Sequence, residues 1–320
     1  MILTSTADLK KYIPIADSFQ FPDFEPYILK AVNTFTRKYV GTLHETLENA
    51  LTTEENAAVH NEVREHLRNA IANFGYFLYI PLGTVMMDSS GISTVNSDQR
   101  KSAEWWQVND IRRELLRSGH EAMDLLLAVL EANPTIFTDW TTNFSTINNE
   151  LLVKNATIFN KYYHIFESRQ TYLALQASIR QVEDQYIHTM LSPELITELK
   201  KNQSGIKQAT QIAIHKAIVA LTVAKVASVG LFLIDENGMR VHFETLINSR
   251  KQSVDSDKTA DQLSELVKEQ INNGTQYLQL AKQFIEANPT EFTAFSNALV
   301  KAATTGSGYK PYDTKGVFSL

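Results

Sequence analysis

The sequence predicts a mainly α-helical chain of two tandem, diverged helical units, each with a short β-hairpin, followed by a flexible C-terminal tail. Three observations lead there. Apolar residues recur at helical spacing through long stretches. Glycine and proline number only 12 and 8 in 320 residues, which excludes long collagen-like or linker-like tracts. A seven-residue segment, Glu131-Ala132-Asn133-Pro134-Thr135-Ile136-Phe137, returns as Glu286-Ala287-Asn288-Pro289-Thr290-Glu291-Phe292, identical at six positions with an offset of 155.

The first unit reads in order. Ser5, Thr6 and Asp8 supply capping chemistry for a short helix over Ser5–Ile13. A second helix runs from Phe24 to Val40 with a stripe of Ile28, Val32, Phe35 and Tyr39, and stops at Gly41. A third, from Glu54 to Tyr79, carries Val63, Leu67, Ile71, Phe74 and Leu78, and Pro81 is expected to end it. A hairpin follows over Thr84–Val95, turning at Ser89–Gly91. A long helix over Asp98–Glu131, with a possible bend site at Gly119, ends before Pro134, because the residue preceding proline avoids helical dihedrals.

The second unit repeats the order. Asp88-Ser89-Ser90-Gly91-Ile92 matches Asp235-Glu236-Asn237-Gly238-Met239, and Ala7 to Tyr12 matches Ala156 to Tyr162 more weakly. Trp140 corresponds to Phe295. Arg169 to Met190 is a helix striped by Tyr172, Leu175, Ile179, Val182, Tyr186 and Met190. Ser192-Pro193-Glu194 opens another, as N-cap and first turn. Ile206–Val229 is the counterpart of the third helix, a hairpin lies around Leu231–Phe243, and a long helix covers Asp257–Glu286. The polar stretch Thr141–Asn149 separates the copies. The predicted organisation is therefore 1–142, 150–303 and a tail at 304–320.

Composition narrows the function. Hydrophobic residues at 43% and charged residues at 21% make a globular mixture. Thirty Lys and Arg against 36 Asp and Glu leave a charge of -6, which offers no basic footprint for nucleic acid. With no cysteine there is no disulfide, thiolate metal site or Cys nucleophile. The opening residues are polar at Thr4, Ser5, Thr6 and Asp8 and predict no signal peptide. Ala217–Ile234 is apolar but holds Lys225 near its middle, which costs about 2.5–3.5 kcal/mol in a lone membrane span. Gly230 divides it, so it reads as a buried helix running into a strand, with a membrane span as the alternative.

No catalytic, cofactor or metal site emerges. His44-Glu45 and His120-Glu121 begin a zinc-protease motif, but neither has the second histidine. Glu62 and His66 share a helix face that reads as solvated. Nucleophile elbows, phosphate loops and calcium loops are missing from the sequence. Two features point to partners instead. Trp105 and Trp106 diverge by about 100° on a helix, so one of them is a candidate for an interface, with burial of both inside the chain as the alternative. The tail offers Tyr309, Pro311, Tyr312, Val317 and Phe318, whose apolar–polar alternation suits strand addition to a partner, with a frayed terminus as the alternative.

The opening Thr6-Ala7-Asp8-Leu9-Lys10-Lys11-Tyr12, followed by Phe24–Gly41, resembles the start of tailed-phage head-to-tail connector proteins. The wider pattern, Asp-x-x-Gly-Ile after an apolar run and a long helix closing in Glu-Ala-Asn-Pro-x-x-Phe, resembles uncharacterised phage and prophage proteins of gut anaerobes. That resemblance implies a virion protein, assembled in the bacterial cytoplasm as a ring between portal and tail. It implies self-association, portal and tail neighbours, DNA passing through a channel without sequence-specific binding, and no catalytic residues or cofactor. The doubled unit and the hairpins depart from the simple connectors. The alternatives are a non-catalytic helical binding or scaffolding protein, or an enzyme with a site at the junction of the copies.

Overall fold

The computed structural model describes residues 2–49, 56–83, 85–88, 91–93, 103–142, 150–201, 203–227, 232–235, 238–241 and 256–295. They divide into two compact units. Unit 1 is Met1–Asn148 with Ser168–Thr171 and Val241–Gln252; unit 2 is Asn149–Glu167, Tyr172–Arg240 and Ser253–Leu320. The chain is mainly helical.

In unit 1, α1 (Thr6–Leu9) starts where the Ser5 hydroxyl accepts the Asp8 amide at 3.1 Å, satisfying one of the free donors at a helix start. Helix α2 (Phe21–Ala31) begins three residues before the expected start, because Pro22 fits a first turn, where its missing amide proton is not needed. Its buried residues Phe24, Ile28 and Ala31 follow helical spacing. The expected single helix is then interrupted by a π-helical segment, Val32–Thr36, before α3 (Arg37–Val40). The buried Thr36 hydroxyl donates to the Val32 carbonyl at 3.3 Å within this wide turn. Gly41, at φ 56°, ends α3 in a conformation that suits glycine. A short α4 (Leu43–Thr46) follows.

Helix α5 (Ala57–Gly83) is the core of the unit. Its buried positions include Val63, Leu67, Ile71 and Phe74 of the expected stripe, but also Ala70, Ala72 and Asn73 on other faces. Full burial of a side chain such as Phe74 contributes about 1.5–3 kcal/mol. Pro81 lies inside α5 and does not end it. The helix continues only two residues past Pro81, and the Val85 amide closes its end on the Leu82 carbonyl at 3.3 Å. Strands β1 (Met86–Asp88) and β2 (Gly91–Ser93) pair antiparallel with Met87 opposite Ile92. Helix α6 (Trp105–Ala132) starts later than expected, because Glu104 and Gln107 cap each other's backbone there. Its buried face is Leu115, Leu116, Met123, Leu126, Leu127 and Leu130. Gly119 is a point of close approach: a Cβ there would lie 2.6 Å from the Phe74 ring. The one-turn α7 (Thr138–Trp140) follows, and the Trp140 indole donates to the Tyr39 carbonyl at 2.8 Å.

Unit 2 runs through the same sequence of elements. These are α8 (Ala156–Asn160), α9 (Arg169–Val182, whose first residues belong to unit 1), a π segment Glu183–Ile187, α10 (Pro193–Leu199) and α11 (Gly205–Val226). Strands β3 (Phe232–Asp235) and β4 (Gly238–Val241) and the long helix α12 (Ser256–Ala287) complete it, with a last helical turn at 293–295. Ser192 caps α10 by accepting the Leu195 amide, as expected from Ser-Pro-Glu. Helix α11 is long and apolar enough to cross a membrane, yet 72% of its apolar window is buried inside the protein.

The duplication extends to fine geometry. The two π segments begin at Val32 and Glu183, 151 residues apart. Asn155 caps α8 through the Ile158 amide just as Ser5 caps α1 through Asp8, which aligns Ser5 with Asn155 and shifts the sequence match at this point by one residue. Leu9 and Phe159 are then equivalent and fully buried. Gly274 on α12 stands 155 residues after Gly119 and has the same role: its Cβ would lie 2.6 Å from Leu221, the counterpart of Phe74.

Candidate interaction face on the long helices

His120, Asp124 and Glu131 lie on one stripe of α6, since positions i, i+4 and i+11 fall within about 40° on a helix. Within unit 1 this stripe holds the short segment Ser168–Thr171. The Gln170 side chain spans His120: its amide nitrogen donates to the His120 carbonyl at 2.8 Å and its oxygen meets Nδ1 at 2.8 Å. The Gln170 main-chain N–H donates to the Asp124 carboxylate at 3.0 Å, and the Thr171 N–H to the Ser168 hydroxyl at 3.1 Å. Arg169 pairs with Glu131 at 3.3 Å. The carboxylate of Asp124 therefore caps the start of α9, where the free amides and the helix dipole favour negative charge.

Burial dominates the electrostatics. It pulls the His120 imidazole down to about 4, against the Gln170 bond that favours the charged form, so the ring is neutral near pH 7. The Gln170 oxygen then selects the tautomer with the proton on Nδ1. Asp124 and Glu131 are pushed above the ordinary carboxylate range by burial, opposed by the Gln170 amide and by Arg169 respectively. Phe35 and Phe74 stack at 4.3 Å and place their edges against the His120 ring. The acceptors here are engaged in holding peptide N–H groups. Such an arrangement is a socket for a helix start, whereas proton transfer needs an acid and a base within reach of a substrate.

The same stripe on α12 is Thr275, Gln279 and Glu286, each 155 residues on. In unit 2 Gln279 and Glu286 are exposed. Beside them a shallow cavity of about 310 Å³ is lined, among the described residues, by Lys268, Ile271, Asn272 and Thr275. The counterpart of Ser168–Thr171, by the 151-residue offset of the π segments, is residues 17–20 at the start of α2. Asp17, Ser18 and Gln20 are exposed there, and the Gln20 side chain donates to the Ser18 carbonyl at 3.1 Å and makes no capping bond to α2. Each long helix thus carries the socket position and each unit carries the segment position, but only one pair is joined in the described structure.

A second equivalent pair has diverged as a set. Arg68, buried in α5, pairs with Asp8 at 2.5 Å and Glu65 at 2.9 Å, beneath the Tyr12 ring. Burial works against the charge on Asp8, yet hydrogen bonds from Thr4 and the Arg68 guanidinium hold its carboxyl down at about 2. At the equivalent positions unit 2 has His215, Ile158, Ile212 and Tyr162. Burial lowers His215 to about 4, and it hydrogen-bonds the Leu152 backbone. Both acids and the guanidinium have been exchanged together, which avoids an unpaired buried charge. Glu183 is a further buried group in unit 2. It accepts the Leu152 amide at 2.8 Å, and burial pushes its carboxyl up to about 7 against the bonds from Leu152 and Val153.

The residues singled out from sequence fall elsewhere. Trp105 and Trp106, in the first turn of α6, are 55% and 41% exposed and are not brought to the His120 stripe. Tyr309, Pro311, Tyr312, Val317 and Phe318 lie outside the described residues. Glu62 is exposed and His66 half-buried on α5. Among the described residues no group of three or more His, Asp or Glu is placed to hold a metal ion. Sequence reading missed the His120–Asp124–Glu131 stripe. Its signal was polar and acidic residues recurring on the flank of an apolar helix, with His120 and Asp124 replaced by Thr275 and Gln279 in the second copy.

Comparisons with known proteins agree on the duplication. No curated protein and no solved structure matches the chain. A family match covers two tandem regions, residues 29–149 and 173–304, which together are most of the chain. On that match the chain belongs to the family of unknown function DUF6712.

Proposed function

We propose that this chain is a structural virion protein of a tailed bacteriophage, a connector that closes into a ring between portal and tail and leaves a passage for DNA. The single observation that carries the reading is that the α1 opening, which resembles connectors, and the Asn-Pro end of the long helix, which resembles uncharacterised phage proteins, are each built twice with the same hydrogen bonds. A ring needs a heterologous interface, in which one surface of a subunit meets a different surface of the next. A tandem of two like units supplies such non-identical ends. The net charge of -6 suits a surface past which a polyanion moves without sticking. In this reading each unit carries a short β-hairpin, β1–β2 and β3–β4, and the partners are further copies, the portal and the tail.

The reading includes no catalysis. Four buried groups with shifted acidity, His120, Asp124, Glu183 and His215, are committed to backbone or amide partners. Negative-stain microscopy of the purified full chain tests the proposal. Closed rings with a central opening are expected; a field of single particles with no ring at any concentration removes the reading.

A further inference from the structure

We infer that the segment Tyr309–Tyr312 of a second copy docks on a tyrosine cluster of unit 1, where α2 packs on the end of α5. The inference rests on the ring reading, which supplies the second copy. Tyr27 on α2 and Tyr76 and Tyr79 on α5 surround the buried Phe24, with Phe19 beside them. Ring centroids lie 5.4 Å apart for Tyr27–Tyr79 and 5.6 Å apart for Tyr76–Tyr79 and Phe19–Tyr79. The three tyrosines are half-buried, so each keeps part of its ring in solvent. Among the described residues their hydroxyls make no hydrogen bond, and the exposed Asp23 and Glu25 of α2 make no ion pair. Tyrosine with an apolar body packed and a polar tip unused is the residue type that interfaces favour.

The second copy shows that the fold does not require these rings. At the equivalent positions unit 2 has Ser178, Val223 and Val226, by the 151 residues between the π segments and the 147 between Phe74 and Leu221. Both valines are buried. The chain departs from its repeat a second time after the long helix. The offset of 155 sets residue 149 opposite residue 304, so residues 305–320 have no counterpart in the first copy. They carry Tyr309-Lys310-Pro311-Tyr312, in which Pro311 fixes its own φ and turns Lys310 away from helical dihedrals. Aromatic-lined surfaces bind proline segments of this extended kind. The charges match as well. Residues 305–320 bring Lys310 and Lys315 against Asp313 alone, whereas α2 offers Asp23 and Glu25, with Lys30 only in its last turn, and α5 has no charged residue after Arg68. The chain from Phe295 to Lys310 spans at most about 50 Å, enough to cross to a neighbour.

A fluorescent peptide of residues 305–317 tests this by anisotropy. The receptor is the full chain carrying Lys310→Ala and Pro311→Ala, so that its own tail does not compete. Binding is expected, and adding Tyr27→Ser, Tyr76→Val and Tyr79→Val to the receptor is expected to weaken it about tenfold or more. Those substitutions install the residues of the second copy, and circular dichroism checks that the variant is folded. A peptide carrying Lys310→Glu and Pro311→Ala is expected to lose binding to the unaltered cluster, which needs no change in the receptor. Without the peptide, the receptor is expected to form smaller assemblies than the unmodified chain. Equal binding to the tyrosine variant, equal binding of a scrambled peptide, or an assembly unchanged by the tail substitutions overturns the docking. No binding, with rings from the unmodified chain, overturns the docking and leaves the ring reading standing. Specific binding with an unmodified chain that forms only dimers or open chains removes the ring and leaves the docking. An unmodified chain that is monomeric at every concentration overturns both.

Discussion

Asn133 and Asn288 make the same bond in the two copies: each side-chain amide donates at 2.8 Å to the carbonyl four residues earlier, of Val129 and Phe284. Each also ends its long helix, and the following Phe137 and Phe292 are buried. The repeated Asn-Pro-Thr-x-Phe sequence is therefore a helix terminator: an amide that satisfies a last-turn carbonyl, a proline that prevents continuation, and a phenylalanine that anchors the exit. Replacing Asn133 by Ala is expected to cost about 1 kcal/mol, as is Asn288→Ala, read as a drop in the urea midpoint.

Gly119→Ala is expected to destabilise the protein, although alanine is the better helix former. The new methyl would meet the Phe74 ring at 2.6–2.9 Å. That ring is fully buried and stacked on Phe35, so it has little room to move. Overpacking costs about 1–3 kcal/mol, against a helical gain of about 1 kcal/mol. Gly274→Ala against Leu221 is expected to behave alike. Thermal melts of the two variants check this, and an unchanged or raised Tm in both would contradict the close approach.

The Arg68 cluster predicts strong coupling. Removing Asp8 alone, as Asp8→Ile, leaves a buried guanidinium short of a partner and is expected to cost about 3 kcal/mol. Adding Arg68→His and Glu65→Ile, which installs the residues of the second copy, is expected to recover most of that loss. A double-mutant cycle in urea measures the coupling. Additive losses would show that the charges do not act together.

Stability should fall on both sides of a window in pH. Glu183 has its folded-state pKa raised to about 7, so the stability tied to its protonated form is lost as pH rises through that value. His120 and His215 are lowered to about 4, so their contribution is full above the ordinary histidine range and is lost as pH falls through about 4. The variant Glu183→Gln is therefore expected to gain in Tm relative to the parent as pH is raised from about 5 to 8. A constant difference over that range would show that Glu183 is already ionised in the folded state.

The helices were legible because their signals are local. Ser5 and Ser192 predict caps, Gly41 a stop, and the stripe through Val63, Leu67, Ile71 and Phe74 a buried helix, from nearest neighbours in sequence. Pro81 misled only by a few residues, because it stands in the last turn and α5 runs just two residues past it to Gly83. The π segments at Val32 and Glu183 gave no periodicity signal, since one extra residue in a turn displaces an apolar stripe by less than a pattern of five residues can reveal. The socket on α6 was hidden for another reason. Asp124 and Gln170 are 46 residues apart, and only folding brings a carboxylate to a helix start at that distance. The duplicated sequence does expose it, once His120 and Asp124 are laid beside Thr275 and Gln279.

The ring proposed here requires that a tandem of like units find its free ends in other copies. Light scattering on the purified full chain, followed across dilution, weighs that requirement most directly. One species at a whole-number multiple of the chain mass, larger than a dimer and stable to dilution, is the expected result. A mass of one chain at every concentration would contradict it.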